Sequence, residues 1–187
     1  MSKTKQRKYI VDAIAEMTTE EKCHASTLIC DRLMSIASVI FADTIFAYLP
    51  LDNEVNILQL LNQWIDESRT VGVPLVSWKN KTMRAGVLNS LDEHALKNTR
   101  YGLREPIHRH PIPADIIDVI LVPGIGFDPS GGRLGRGGGF YDRYLDLSRP
   151  PIVIGIAFDQ QILECVQCDT HDQPMTAVVT PTRTLLN

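Results

Sequence analysis

The sequence predicts an α/β protein with three layers around a largely parallel sheet. Three continuous apolar, β-branched runs carry that expectation: IDVILV at 117–122, IVIGIA at 152–157 and TAVV at 176–179. Strands buried on both faces read this way, whereas half-solvated strands alternate. Helical periodicity lies between the runs, and strands interleaved with helices put a mostly parallel sheet in the middle. A third observation fixes where to look for chemistry. The segment VPGIGFDPSGGRLGRGGGFYDRYL, 122–145, holds eight of the twelve glycines and follows directly on the first run.

Each element has its own signal. Residues 20–40 place Ala25, Leu28, Ile29, Leu33, Ile36, Ala37 and Ile40 on one face at helical spacing, and Thr18 with Glu21 forms a capping box ahead of them. TIFAYL at 44–49 reads as a strand ending at Pro50. Ile57, Leu60, Leu61, Trp64 and Ile65 then read as a helix. VPLVSW and MRAGVL are short strand candidates, and FYDRYL should open a helix immediately after the glycines. No repeat or low-complexity linker divides the 187 residues, so one domain over 1–187 is expected.

Composition bounds the partners. A chain with 44% hydrophobic and 22% charged residues and a formal charge of −3 lacks the basic footprint that nucleic acid or an anionic membrane requires. No apolar stretch approaches the length of a membrane span, and the basic N-terminus lacks the apolar core of an export signal, so a cytoplasmic location is the default expectation. Cys165 and Cys168, followed by His171, could supply zinc ligands. The spacing of Cys23 and Cys30 gives no second knuckle, which weighs against that. Nothing in the residues argues for a dimer interface, so a monomer is the default.

The glycine-rich segment reads as an anion cradle. Glycines allow positive φ and bring bare N–H groups to a ligand, and Arg133 and Arg136 add guanidinium charge. The following helix would aim its N-terminus at the same anion. Neither of the two common phosphate motifs fits. Pro129 stands where a third glycine would complete a dinucleotide fingerprint, and Gly132-Arg133 stands where a P-loop needs Lys and Ser or Thr. Ligands of parallel sheets bind at the carboxyl ends of strands, so the loop LPLDNEVN and the segment CDTHDQP should open on the same edge. Lys3, Lys5, Arg7 and Lys8 crowd the terminus. They are either a solvated, frayed tail or, through Lys3 and Arg7 on one helical face, a clamp over a polyphosphate. Asp142 and Asp172 could be exposed carboxylates, or the one or two protein ligands that nucleotide-bound magnesium takes. Glu54 could hydrogen-bond an amino-substituted heterocycle.

These residues together resemble the 5-formyltetrahydrofolate cyclo-ligase (5,10-methenyltetrahydrofolate synthetase) family over nearly the full length. The likeness rests on the glycine-rich segment, Lys3 and Arg7, Glu54-Val55-Asn56, Tyr101-Gly102-Leu103-Arg104-Glu105-Pro106, and THDQP ahead of an apolar strand. It implies a fold related to the sugar-phosphate isomerase and CoA-transferase-like α/β group. It also implies a magnesium- and ATP-dependent conversion of 5-formyltetrahydrofolate to 5,10-methenyltetrahydrofolate, with ADP and phosphate released.

By the same resemblance, Lys3, Thr4, Lys5, Gln6 and Arg7 contact ATP, together with Arg133, Leu134, Gly135, Arg136, Gly137, Gly138, Gly139, Phe140 and Tyr141. Arg133 and Arg136 take the catalytic role of stabilising the transferring phosphoryl group. Asp142 and Asp172 bind magnesium, while Leu51, Glu54, Asn56, Tyr101 and Phe140 contact the folate. The chain departs from many members at Asn56, where an acidic residue is usual. It also departs at Gly138 and Phe140, where some members carry Lys and Tyr. A non-catalytic nucleotide- or RNA-binding relative of the fold and an ATP-independent phosphosugar isomerase are the competing readings.

Overall fold

The computed structural model describes residues 1–148, 152–167 and 173–186. Seven strands form the main sheet in the order β11-β10-β9-β6-β1-β2-β3. These are β1 (Thr44–Phe46), β2 (Thr70–Ser77), β3 (Thr82–Val87), β6 (Val119–Pro123), β9 (Val153–Ile156), β10 (Ala177–Val179) and β11 (Thr184–Leu186). The five central strands run parallel, and the edge strands β3 and β11 pair antiparallel with their neighbours. The three apolar runs are therefore β6, β9 and β10, in the middle of the sheet.

The period-2 alternation of these strands divides the core. Ile45, Val119, Leu121 and Ile154 pack on one face against Ile10 and Ile14 of α1 (Lys3–Glu16), Ile29 and Leu33 of α2 (Thr19–Leu33), and Leu61 and Trp64 of α4 (Leu58–Asp66). Phe46, Ile120, Val122 and Val153 face the other way, onto Tyr144 and Leu145 of α5 (Phe140–Ser148). Helices on both faces of one sheet give the three layers expected.

Three elements differ from the sequence reading. The helix over 20–40 is broken: α2 starts at its capping box, with Thr18 Oγ1 accepting from the Glu21 amide and Thr18 N–H donating to Glu21, but stops at Leu33. Ser35 donates both its amide and its hydroxyl to the Arg32 carbonyl, Ile36 is extended, and the short α3 (Ala37–Ile40) follows. A serine that can bond the preceding turn in this way competes with helix continuation. Leu28 and Ile40, counted on the apolar stripe, are consequently more than a third exposed.

The strand over 44–49 pairs only as far as Phe46, and Ala47 to Leu49 then leave the sheet, still buried, toward the cavity described below. The N-terminus is not a frayed tail. It is helical from Lys3, with Gln6 buried and its Nε2 donating 2.7 Å to the Cys165 carbonyl. Ile10 lies so close over Gly126 that a Cβ there would meet its Cδ1 at 2.4 Å. Two isoleucines four apart make a weak stripe, and their partner is a glycine far along the chain, which no local pattern records.

Two small two-stranded sheets complete the fold: β4 (Leu96–Asn98) with β5 (Arg104–Pro106), and β7 (Gly126–Phe127) with β8 (Arg133–Leu134). Among the described residues no helix is long and apolar enough to cross a membrane.

Candidate active site

The glycine-rich segment leaves the carboxyl end of β6 and is braced by its own side chains. Asp128, buried, accepts from the Ser130 amide (3.0 Å), the Ser130 hydroxyl (2.8 Å), the Gly132 amide (2.8 Å) and the Val166 amide (2.7 Å). Burial alone would raise its pKa. These hydrogen bonds to the charged form outweigh it and hold the carboxyl below its ordinary value. A Cβ at Gly132 would sit 2.5 Å from an Asp128 oxygen, so glycine there is a requirement of close approach. Past β8 the chain turns through left-handed Gly137 (φ +96°) and Gly139 (φ +64°) into the N-terminus of α5.

Arg133 is buried at the centre of this arrangement. Its Nη2 donates 2.6 Å to Asp142 Oδ1, its Nη1 donates 3.2 Å to the Pro123 carbonyl, and its guanidinium lies 5.4 Å from the Tyr141 ring centroid. Arg136 is more than half exposed and reaches across to the loop after β1, where Nη2 donates 2.9 Å to Glu54 Oε1. The other oxygen of Glu54 accepts from the Leu51 amide at 3.1 Å, and the Glu54 amide closes the turn on the Leu51 carbonyl. The expected convergence of these two loops on one sheet edge is thus present. CDTHDQP falls largely outside the described residues, as does Asp172.

Two cavities meet at this point. One, about 500 Å³, is mostly apolar and runs from Glu54, Tyr48 and Leu51 past Tyr141 and Phe140 to Trp78 and Tyr101. The other, about 470 Å³, is lined by Lys3, Arg7 and Arg143, with Asp142, Asp146 and the glycine-rich turn. They share Arg133, Gly135, Gly139 and Asp142. Arg7 is tied to the same turn, donating from Nε to the Gly135 carbonyl at 2.9 Å. Lys3 and Arg7 therefore sit on a helix beside the glycines, where the sequence left a choice between tail and clamp.

The aromatic walls of the first cavity are braced against one another. The Trp78 ring lies 5.1 Å from Tyr101 and 5.2 Å from Phe140, the latter edge-on. Tyr101 takes left-handed backbone (φ +61°) just before Gly102 (φ +75°), closing the turn from β4 to β5. A bulky residue there carries strain on the order of 1–3 kcal/mol, a signature of sites where an exact side-chain position matters. Deeper in, burial first, and then the negative charge of Glu54, push the Tyr141 phenol far above its usual range, so it is a neutral donor at any physiological pH. Its buried hydroxyl has no hydrogen-bond partner among the described residues. Tyr48 is likewise held neutral by burial and by Glu54, and donates to the Val55 carbonyl at 2.9 Å.

The site residues expected from sequence separate into groups. Lys3, Arg7, Arg133, Leu134, Gly135, Gly137, Gly139 and Asp142 line the basic cavity. Arg136, Gly138 and Tyr141, expected at the nucleotide, and Phe140, expected at both ligands, line the aromatic cavity, with Leu51, Glu54 and Tyr101. Thr4 and Lys5 point to solvent, and Gln6 is a strut inside the fold. Asn56 is exposed and lines neither cavity: its Oδ1 accepts from the Leu58 amide at the start of α4, and its amide donates to Ser26. Sequence reasoning missed Trp78, Tyr48, Arg143 and Asp146. Trp78, an aromatic directly after an apolar strand, and Arg143 and Asp146, three and six residues past Phe140 on α5, were the available signals.

The whole-chain comparison decides the family. A model of the 5-formyltetrahydrofolate cyclo-ligase family matches residues 1–181. The chain belongs to this family. Among the cyclo-ligase relatives, the 5-formyltetrahydrofolate cyclo-ligase of Escherichia coli K12 is 31% identical over 177 residues, covering 89% of this chain and 93% of that protein. The Mycolicibacterium smegmatis cyclo-ligase is 36% identical over 149 residues, covering 75% and 74%. The fold matches the solution structure of Aquifex aeolicus 5,10-methenyltetrahydrofolate synthetase with a TM-score of 0.84 at 26% identity, across 100% of this chain and 93% of that one. A Mycoplasma pneumoniae 5,10-methenyltetrahydrofolate synthetase shares the fold at a TM-score of 0.78.

Proposed function

We propose that this cyclo-ligase family member converts 5-formyltetrahydrofolate to 5,10-methenyltetrahydrofolate at the expense of ATP. The observation that carries the reading is the shared wall. An aromatic cavity suited to a heterocycle and a basic cavity suited to a polyphosphate abut at Arg133, Gly135, Gly139 and Asp142. Phosphoryl transfer between two bound substrates needs such end-to-end placement, because most of its catalysis is positioning and charge stabilisation.

In this reading the aromatic cavity holds the folate, with Glu54 accepting from the amino-substituted ring and Tyr141 offering its neutral hydroxyl. Lys3, Arg7 and the amides around Gly135 to Gly139 hold the ATP phosphates, and the N-terminus of α5 adds its dipole. The formyl oxygen attacks the γ-phosphorus and ADP leaves. N10 then attacks the activated formyl carbon, N10 gives up its proton, and phosphate departs with the former formyl oxygen to leave the methenyl bridge. Phosphorylation turns a poor leaving oxygen into a good one, and Arg133, already fixed at the junction, neutralises charge on the transferring group.

The residues fit a magnesium ion that arrives with the nucleotide. Such an ion keeps several waters and takes only one or two carboxylates. Asp142 lies at the junction with one oxygen on Arg133, Asp146 follows one turn later in the same cavity, and no denser ligand cluster exists among the described residues. Bound magnesium would supply charge neutralisation at the phosphates. Asp142 is the described residue placed to hold it, with Asp172 as the second proposed ligand.

The test is direct. Purified protein with 5-formyltetrahydrofolate, magnesium and ATP should generate the methenyltetrahydrofolate absorbance, with one ADP released per turnover. No absorbance growth would refute the assignment. Binding of nucleotide without turnover would favour the non-catalytic relative, and isomerisation of a phosphosugar without ATP would favour the isomerase.

A further inference from the structure

We infer that Arg104 is the residue that reads the anionic glutamyl tail of the folate. This deepens the function proposed above and rests on it for the identity of the ligand. The aromatic cavity carries charges of both signs. Three arginines and three carboxylates line it among the described residues: Arg104, Arg133 and Arg136, with Glu54, Glu105 and Asp142. Arg136 is paired with Glu54 at 2.9 Å and Arg133 with Asp142 at 2.6 Å.

Glu105, next to Arg104 on β5, is spent elsewhere. Its Oε1 accepts from the Val76 amide at 2.9 Å, and its Oε2 accepts from Arg109 at 2.7 Å. Arg109 is not part of the lining, so it neutralises the third carboxylate from outside. Arg104 is left as the one lining cation with no ion pair or side-chain hydrogen bond among the described residues. It is half-buried and lines the cavity, a guanidinium kept there with no carboxylate partner among the described residues.

Its place in the fold gives the direction. Glu54, Arg133 and Arg136 stand at the carboxyl ends of β1 and β6, mid-sheet, where the two cavities join. Arg104 stands on β5, which docks against β2 toward the β3 edge, beside Trp78 and Tyr101. Arg104 lines the aromatic cavity alone and is absent from the basic one. A folate whose reacting ring lies at the junction extends its benzoyl group along the aromatic wall and its carboxylates to the far end. A fork-shaped guanidinium suits a carboxylate there.

The experiment compares 5-formyltetrahydrofolate with 5-formyltetrahydropteroate, which lacks the glutamate, on the parent protein, Arg104→Gln and Arg104→Lys. Affinity is measured by calorimetry and turnover in parallel. The parent should bind the glutamyl ligand about tenfold or more tightly than the pteroate, the scale of one charge-assisted contact. Arg104→Gln should raise Kd and KM for the glutamyl ligand about tenfold, leave kcat and the ATP KM within about twofold, and leave the pteroate unaffected. Arg104→Lys should recover part of the preference.

Equal losses on both ligands, or an unchanged preference in Arg104→Gln, would overturn the assignment. So would a parent protein that does not distinguish the two ligands, whatever the variants do. Failure of turnover with both ligands sinks the cyclo-ligase reading, while the affinity ratio still decides the role of Arg104.

Discussion

Replacing Asp128 by Asn tests whether the glycine-rich loop is held by one carboxylate. The substitution keeps shape and removes charge and one acceptor. Ser130 is exposed and can turn to water, but the amides of Gly132 and Val166 are buried, and each relies on a different Asp128 oxygen at 2.8 and 2.7 Å. An amide side chain can serve only one of them and points N–H at the other. One buried donor left unsatisfied, with the charge assistance lost on its neighbour, costs about 2–3 kcal/mol. For a chain of this size each kcal/mol is worth roughly 2–4 °C, so Tm should fall by about 5–10 °C.

The pH dependence gives a second reading of the same contacts. The folded-state pKa of Asp128 lies below its ordinary value of 3.8. Its contribution is therefore fully present above that value and is lost as pH falls through the folded-state pKa. In Asp128→Asn the acid limb of the stability curve should be shallower than in the parent. Calorimetric melting between neutral pH and the acid limit measures both effects. A fall in Tm under about 2 °C, or an acid limb that superposes on the parent's, would refute the idea that this carboxylate organises the loop.

Arg133→Ala should lower kcat by roughly 10²–10⁴ with correct folding, checked by single-turnover kinetics beside a melting curve; a loss under about threefold would remove it from the transition state. Asp142→Asn should raise the magnesium concentration needed for half-maximal activity and leave folate affinity without ATP unchanged, as followed by a metal titration. Deleting residues 2–8 should weaken ATP binding and also lower Tm, because it removes the buried Gln6 strut and the Arg7 bond to Gly135. A truncated protein with the parent's Tm would return the segment to a solvated tail.

How legible all this was in the sequence depended on the range of the interaction that decides each feature. The central strands β6, β9 and β10 were readable because burial on both faces writes itself into consecutive residues. The capping box of α2 was readable because its partners are three residues apart. Short edge strands such as β11 and the paired β7 and β8 carry little apolar signal of their own and were not. α1 escaped as a core element because Ile10 docks on Gly126 and Gln6 on the Cys165 carbonyl, contacts spanning much of the chain. In the site, the glycines and arginines announced an anion cradle, but the division of residues between two cavities needed the path of the backbone. Asn56 stands two residues from Glu54 in sequence, yet its side chain accepts from the Leu58 amide at the start of α4 and lines neither cavity, a placement no motif records.

The path of that backbone explains why a glycine-rich turn serves here in place of a P-loop. A P-loop wraps a single phosphate chain from one side. The segment 133–142 instead separates two cavities, and its successive residues are divided between them. Leu134 and Gly137 face only the basic cavity; Arg136, Gly138, Phe140 and Tyr141 face only the aromatic one; Arg133, Gly135, Gly139 and Asp142 border both. Left-handed turns at Gly137 and Gly139 let the chain present bare amides to one side and large rings to the other within three residues. The partition is thin where Gly135 and Gly139 stand. A side chain at Gly139 would have to share space with Arg143, whose Nη1 lies 2.6 Å from the position of a Cβ. In the proposed reaction, thinness at that point is what the two substrates would require, since each would have to reach the other across this wall.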